Sequence, residues 1–193
     1  LTFAIAFNGL HSAYWVLIHH NPDRSVQKVT DMLINDPGNY YAKHQPSVQQ
    51  LAFALWDTGE KQQALEMFKR NKNENPDDPR AYFNYAMKLL NMKHLQKAEE
   101  NLKTCVERFP YYPLAYRPLV HIYQQKQQRQ QMIGVINLMY QAYRKCPLNF
   151  LSRVKKEELI SYFDFLLRVE HSRGNQKRAG QIQKTIQQIK ERA

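Results

Sequence analysis

A chain of 193 residues with 43% apolar content can bury a substantial core as one compact domain or one repeat array, which excludes an intrinsically disordered polypeptide. Six glycines and nine prolines, in stretches otherwise rich in Ala, Leu, Gln, Glu and Lys, point to an all-α fold, because those side chains lose little freedom in a helix. The net charge of +11 is unevenly placed: Lys plus Arg balances Asp plus Glu over residues 1–44, falls short by two over 45–78, and exceeds it by three over 79–112 and by five in each of 113–147 and 148–193. Such a basic C-terminal half favours anionic partners, whether nucleic acid, an acidic protein face or anionic lipid.

No charged residue precedes Asp23, and residues 1–18 are mostly apolar. Three readings stay open for this stretch. It is a helix that caps the array through Phe3, Phe7, Leu10, Tyr14 and Leu17, the tail of a membrane anchor with Tyr14 and Trp15 at the interface, or a leftover signal segment. Asn8, Gly9, His11 and Ser12 weaken insertion, and the missing initiator Met suggests a processed or truncated chain. Ser25 to Asn35 then reads as a helix ended by Asp36, Pro37 and Gly38, which suits the second helix of a degenerate leading repeat, and residues 39–46 read as a linker.

From residue 45 the chain repeats itself. Pro76 and Pro110 are 34 residues apart, each closing a helical pattern, and Pro147 follows after 37. Residues 45–78 superpose on 79–112 position by position: Val48 on Tyr82, Leu51 on Tyr85, Ala52 on Ala86, Leu55 on Leu89, then Ala64 on Ala98, Phe68 on Leu102, Asn71 on Cys105 and Pro76 on Pro110. Positions 48, 51, 52 and 55 form the i, i+3, i+4, i+7 stripe of a helix buried on one side. Small Ala52, Ala64, Ala86 and Ala98 let two helix backbones approach closely, which puts Ala98 where the two helices of its unit cross. Asp77 and Asp78 suit the electropositive start of the next helix.

A third unit, 113–147, supplies Tyr116, Leu119, Val120 and Tyr123, then Val135, Met139 and Ala142. Its three-residue excess is expected in the polar run Gln124 to Gln131, read as an elongated turn or extra helical turn in which Lys126 is exposed. The segment 148–193 fits once more through Phe163, Leu166, Leu167, Gly174, Ala179 and Ile186, although Glu170 takes a normally aromatic slot and no terminal proline appears. A last helix, roughly 176 to 192, gives the array a polar end.

These units resemble the tetratricopeptide repeat, a 34-residue helix–turn–helix with large apolar residues in its first helix, small residues where the helices touch and a closing proline. The resemblance implies a right-handed superhelical solenoid over 45–193, divided at 45–78, 79–112, 113–147 and 148–193, with residues 1–44 as a separate leading segment. It also implies a concave groove lined by the first helix of each repeat. Carried onto this sequence, the lining comprises Pro46, Gln49, Phe53, Trp56 and Asp57, then Arg80, Phe83, Met87, Leu90 and Asn91, then Leu114, Arg117, His121, Gln124 and Gln125. The partner so implied is a peptide or helix with apolar anchors and an acidic flank, held mainly by Gln49, Phe53, Trp56, Arg80, Phe83, Met87, Arg117 and His121. Gln49 and Phe53 stand where chaperone-tail clamps of this family carry Lys and Asn, so that specificity is not expected.

No constellation for catalysis stands out. There is no phosphate-cradling glycine loop, no nucleophile elbow and no pair of histidines at helix-facing spacing with a carboxylate. His19 and His20 are adjacent and point apart on a helix, and His11, His44, His94, His121 and His171 lack a second ligand at useful spacing. Cys105 and Cys146 form no metal set, and Cys105 reads as a buried thiol. The expectation is a non-catalytic scaffold or adaptor without cofactor or metal. Two rivals remain: the soluble repeat domain of a membrane-anchored envelope or secretion machine attached through residues 1–18, and a nucleic-acid-binding solenoid using Arg144, Lys145, Arg153, Lys155, Lys156, Arg168, Arg173, Lys177 and Arg178.

Overall fold

The computed structural model describes residues 48–191, which form helices joined by short turns with no strand among them. The all-α expectation is met. The apolar leading segment, the helix expected over 25–35, the linker and Pro46 lie outside the described residues. The chain forms two compact units, Leu1–Pro76 and Asp77–Ala193.

In the first unit, α1 (Val48–Thr58) packs along α2 (Lys61–Glu74). Leu51, Ala52 and Leu55 on α1 and Ala64, Leu65, Met67 and Phe68 on α2 are buried, as the stripe requires. Gly59 turns the chain between them at φ 99°, a conformation that a side chain resists. Buried Asn71 is satisfied locally, because its Oδ1 accepts from Asn75 Nδ2 at 3.1 Å.

The second unit runs α3 (Pro79–Asn91), α4 (Leu95–Arg108), a 3-10 turn at Pro113–Ala115, α5 (Tyr116–Gln125), α6 (Arg129–Lys145), α7 (Pro147–Leu151), α8 (Lys156–Ser172) and α9 (Gln176–Glu191). Helices pair within repeats, α3 on α4, α5 on α6 and α8 on α9, and stack on neighbours, α4 on α5 and α6 on α8. That nearest-neighbour pattern is how a solenoid builds a continuous core from units that cannot bury their apolar faces alone.

The repeat is visible in the backbone as well as in the side chains. Asp78 caps α3, its Oδ1 accepting from Arg80 N at 2.9 Å, with Pro79 in the first turn where a missing N–H costs nothing. Helix ends correspond too: Asn75 N donates to Asn71 O and, 34 residues later, Phe109 N donates to Cys105 O, both at 2.9 Å. Between helices, His94 N donates to Leu89 O, Gln128 N to Tyr123 O and Asn175 N to Glu170 O, closing three turns of one geometry. The residue in the left-handed region is Lys93 (φ 62°), Gln127 (φ 56°) and Gly174 (φ 72°) in turn.

Those turns correct the expectation for the Gln-rich run. Helix α5 continues to Gln125, only residues 126–128 turn, and α6 begins at Arg129, the same offset as in the preceding repeat. The three extra residues lengthen α6 to 17 residues against 14 in α2 and α4. Lys126 is not a solvated turn residue: its Nζ lies 2.5 Å from Glu99 Oε2, with side-chain exposures of 26% and 14%.

The fourth segment holds two further departures. A short helix, α7, precedes its first long helix and inserts Phe150, fully buried, against Tyr116 and Tyr143 with ring centroids 6.0 Å away in each case. Glu170, in the slot normally aromatic, is buried but compensated. It accepts from Asn175 Nδ2 at 3.0 Å and pairs with Arg173 at 3.3 Å and Arg178 at 3.9 Å. A charged network stands there in place of Leu89 and Tyr123, the corresponding residues of the two preceding repeats. Phe163, Leu166, Ala179 and Ile186 are buried as expected.

Candidate partner-binding site

The face of α3 turned away from α4 is set by the helical period. Ala81, Tyr82, Ala86 and Leu89 are buried, which leaves Arg80, Phe83 and Met87 on one side, within roughly a quarter-turn of each other at about 100° per residue. On α5, Leu119, Val120, Ile122 and Tyr123 are buried, and Arg117 and His121, four residues apart, are exposed. Phe83 and Met87 are half-buried and Arg80 is exposed. Leu90 and Leu114 are half-buried, while Asn91, Gln124 and Gln125 are exposed.

Tyr112 ties these residues together. Its ring meets Phe83 edge-on with centroids 5.7 Å apart. Burial pushes its phenol upward, nearby Cys105 and Asp78 add to the rise, and the charges of Arg153 and Arg80 act on it in the opposite sense. The charges of Arg153 and Arg80 thus both act on the phenol whose ring packs on Phe83. Arg80 keeps its charge fixed through Asp78, with Nε 3.0 Å from Oδ1.

Arg117 opens on the next part of the surface. A small cleft of about 70 Å³ is lined by Pro113, Leu114, Arg117, Met139, Arg153, Val154, Glu158 and Tyr162. Arg117 Nε stands 3.4 Å from Glu158 Oε1, and Tyr162 Oη donates to the same oxygen at 3.1 Å. Burial and then the Glu158 charge push the Tyr162 phenol up to about 12, so it remains a donor at neutral pH. Arg80, Phe83 and Arg117 therefore belong to one neighbourhood through Tyr112, Leu114 and Arg153. Met87 and His121 extend it one turn along their own helices.

In the first unit the corresponding residues lie on α1. Gln49, Phe53 and Trp56 are half-buried and Asp57 is exposed. Phe53 packs edge-on against Phe68 with centroids 5.0 Å apart, and Lys61 Nζ sits 5.7 Å from the Trp56 ring centroid. Sequence reasoning missed Tyr112, Glu158 and Tyr162, and it named Arg153 only for a nucleic-acid surface. Glu158 and Tyr162 carry a signal at i, i+4 spacing, but Tyr112 and Arg153 lie between helices, where no periodicity marks them.

Among the described residues no group of three or more His, Cys, Asp or Glu side chains comes together to hold a metal, and no helix is long and apolar enough to cross a membrane.

The second helix pair matches a family model described as tetratricopeptide repeat over residues 79–112. These residues are a tetratricopeptide repeat. In fold the chain is similar to solved helical structures: a crystal structure of MamA at 15% identity and TM-score 0.54, covering 96% of each chain, and another of MamA at 16% and 0.52. The nearly identical TPR-like repeats of a Podosopora anserina protein assigned to the kinesin light chains match at 14% and 0.50, over 85% of this chain and 82% of that one. No curated protein sequence matches. Tetratricopeptide repeats mediate protein–protein interaction, and proteins built from them are generally non-catalytic scaffolds.

Proposed function

We propose that the chain is a non-catalytic scaffold that holds a peptide or helix of a partner protein against the face formed by α3 and α5, within a multiprotein assembly. The observation that carries this reading is the half-buried Phe83–Tyr112 ring pair on the face of α3 that also carries half-buried Met87 and exposed Arg80. An apolar anchor of the partner covers Phe83 and Met87, and acidic residues beside it meet Arg80 and Arg117. Gln49, Phe53 and Trp56, at the equivalent positions of the preceding repeat, are proposed as a contact surface of the first unit by itself. Each aromatic anchor buried on the partner contributes about 1.5–3 kcal/mol of transfer free energy, and two or three such anchors give roughly micromolar binding after the losses of association.

Site-specific photo-crosslinking tests the placement. A photoreactive phenylalanine analogue at position 87 or 121, introduced into the protein in its native cell, is expected to form discrete protein adducts. The same analogue at exposed Lys103 on α4 is expected to form none. Adducts from position 103 alone would place the partner elsewhere.

A further inference from the structure

A second surface lies where the C-terminal end of α6 meets the first turn of α9. There a cleft of about 570 Å³ is walled by Arg144 and Lys145 from α6 and by Lys177 and Arg178 from α9, with Tyr140 at its base. Among the described residues that line it none is acidic. The base is held firmly: Tyr140 is buried, its hydroxyl lies 3.2 Å from Thr185 Oγ1 across the two helices, and its ring packs edge-on against Phe163 at 5.2 Å.

Two of the four wall cations, Arg144 and Arg178, are held in place by neighbouring groups. Arg144 lies over the Tyr140 ring, 6.0 Å from its centroid. Arg178 donates through Nη2 to Asn137 Oδ1, and its Nε stands 3.9 Å from Glu170. Glu170 pairs with Arg173 as well as with Arg178, so the three together keep a net positive charge beside the cleft.

Helix electrostatics sharpen the point. Basic residues suit a helix C-terminus, where Arg144 and Lys145 sit, but α9 carries Lys177 and Arg178 in its first turn with no acidic residue there. Two cations at the positive end of a helix dipole repel it and one another. An arrangement that disfavours the empty chain is relieved by an anion placed among the four charges, where backbone dipole and side chains act in the same sense.

We infer that this cleft binds a small, multiply charged phosphate-type oxyanion, of which pyrophosphate is the simplest example. Four cations on two opposed helices suit two linked phosphoryl groups better than one, and the volume accommodates them. This site shares no residue with the α3–α5 face, so it stands or falls separately from the scaffold reading.

Calorimetric titration of the full chain with pyrophosphate, in chloride buffer of constant ionic strength, tests it. Saturable binding is expected, with a parallel rise in Tm. The double substitution Arg144→Gln/Lys177→Gln, at exposed positions, is expected to weaken binding on the order of 100-fold by removing two charge-assisted contacts. Lys184→Gln/Lys190→Gln, which removes the same charge from α9 outside the cleft, should leave it within about twofold. The proposal is overturned if pyrophosphate binds no better than sulfate, if the two double variants lose affinity equally, or if a tetraglutamate peptide binds where pyrophosphate does not.

Discussion

Lys126 Nζ lies 2.5 Å from Glu99 Oε2, an ion pair that joins the turn of one repeat to the second helix of the repeat before it. Gln96 accepts from the same ammonium at 3.4 Å, and the Glu99 charge also bears on the Tyr123 phenol. Because solvent reaches neither partner freely, Lys126→Ala leaves a carboxylate short of its counter-charge. We predict a loss of about 1–2 kcal/mol, above the ordinary value for a surface pair. Urea unfolding of the variant checks this, and a change below about 0.5 kcal/mol, usual for exposed sites, would return Lys126 to the solvated class.

The three left-handed turn residues give a paired test. Gln127→Gly should raise stability by up to about 1 kcal/mol, because a side chain at φ 56° is strained and glycine is not. Gly174→Ala should lower it by about 1 kcal/mol: no atom lies within 4 Å of an added Cβ, but φ stays at 72°. Thermal melts that showed both glycines destabilising would deny the shared turn geometry.

Much of this architecture is legible in the sequence because a repeat repeats its constraints. The small residues Ala52, Ala64, Ala86 and Ala98 are all fully buried, and the 34-residue offset reappears in helix starts, caps and turns. What stayed hidden depends on partners distant in the chain. Lys126 looks solvated until Glu99, 27 residues away, is placed beside it, and Glu170 looks misplaced until Asn175, Arg173 and Arg178 surround it. Helix α7 was invisible because Pro147 reads as a terminator, although a proline suits the first turn of a new helix equally well. On the candidate site, periodicity marks Phe83 and Met87, whereas Tyr112 enters from a connection that has no period.

Ala98 is fully buried on α4, which packs along α3. Ala98→Trp is expected to cost about 1–3 kcal/mol or more by overpacking, and Ala98→Gly about 1 kcal/mol through helix propensity and lost contact. Melting curves on both decide the register: a Trp variant as stable as the parent would mean that position 98 does not face another helix.

Alkaline pH should weaken the fold. Burial foremost, with the charge of Asp78, pushes the Cys105 thiol from 9.0 up to about 12, and burial with Glu99 pushes the Tyr123 phenol from 10.0 up to about 12. The folded chain then binds protons that the unfolded chain releases, so stability is full below about pH 9 and falls as pH rises toward about 12. Tyr123→Phe should flatten that fall in unfolding experiments across the range. Cys105, wholly buried, should resist thiol reagents that modify the partly exposed Cys146.

Binding by the α3–α5 face is tested most directly by titrating the crosslinked partner, once identified, into the parent protein and two variants. Met87→Glu places a charge where the apolar anchor is proposed, and Arg117→Glu inverts the charge meant for the acidic flank. The account predicts roughly tenfold or greater loss of affinity for each, with helical content and Tm retained. Undiminished affinity in both folded variants would contradict it.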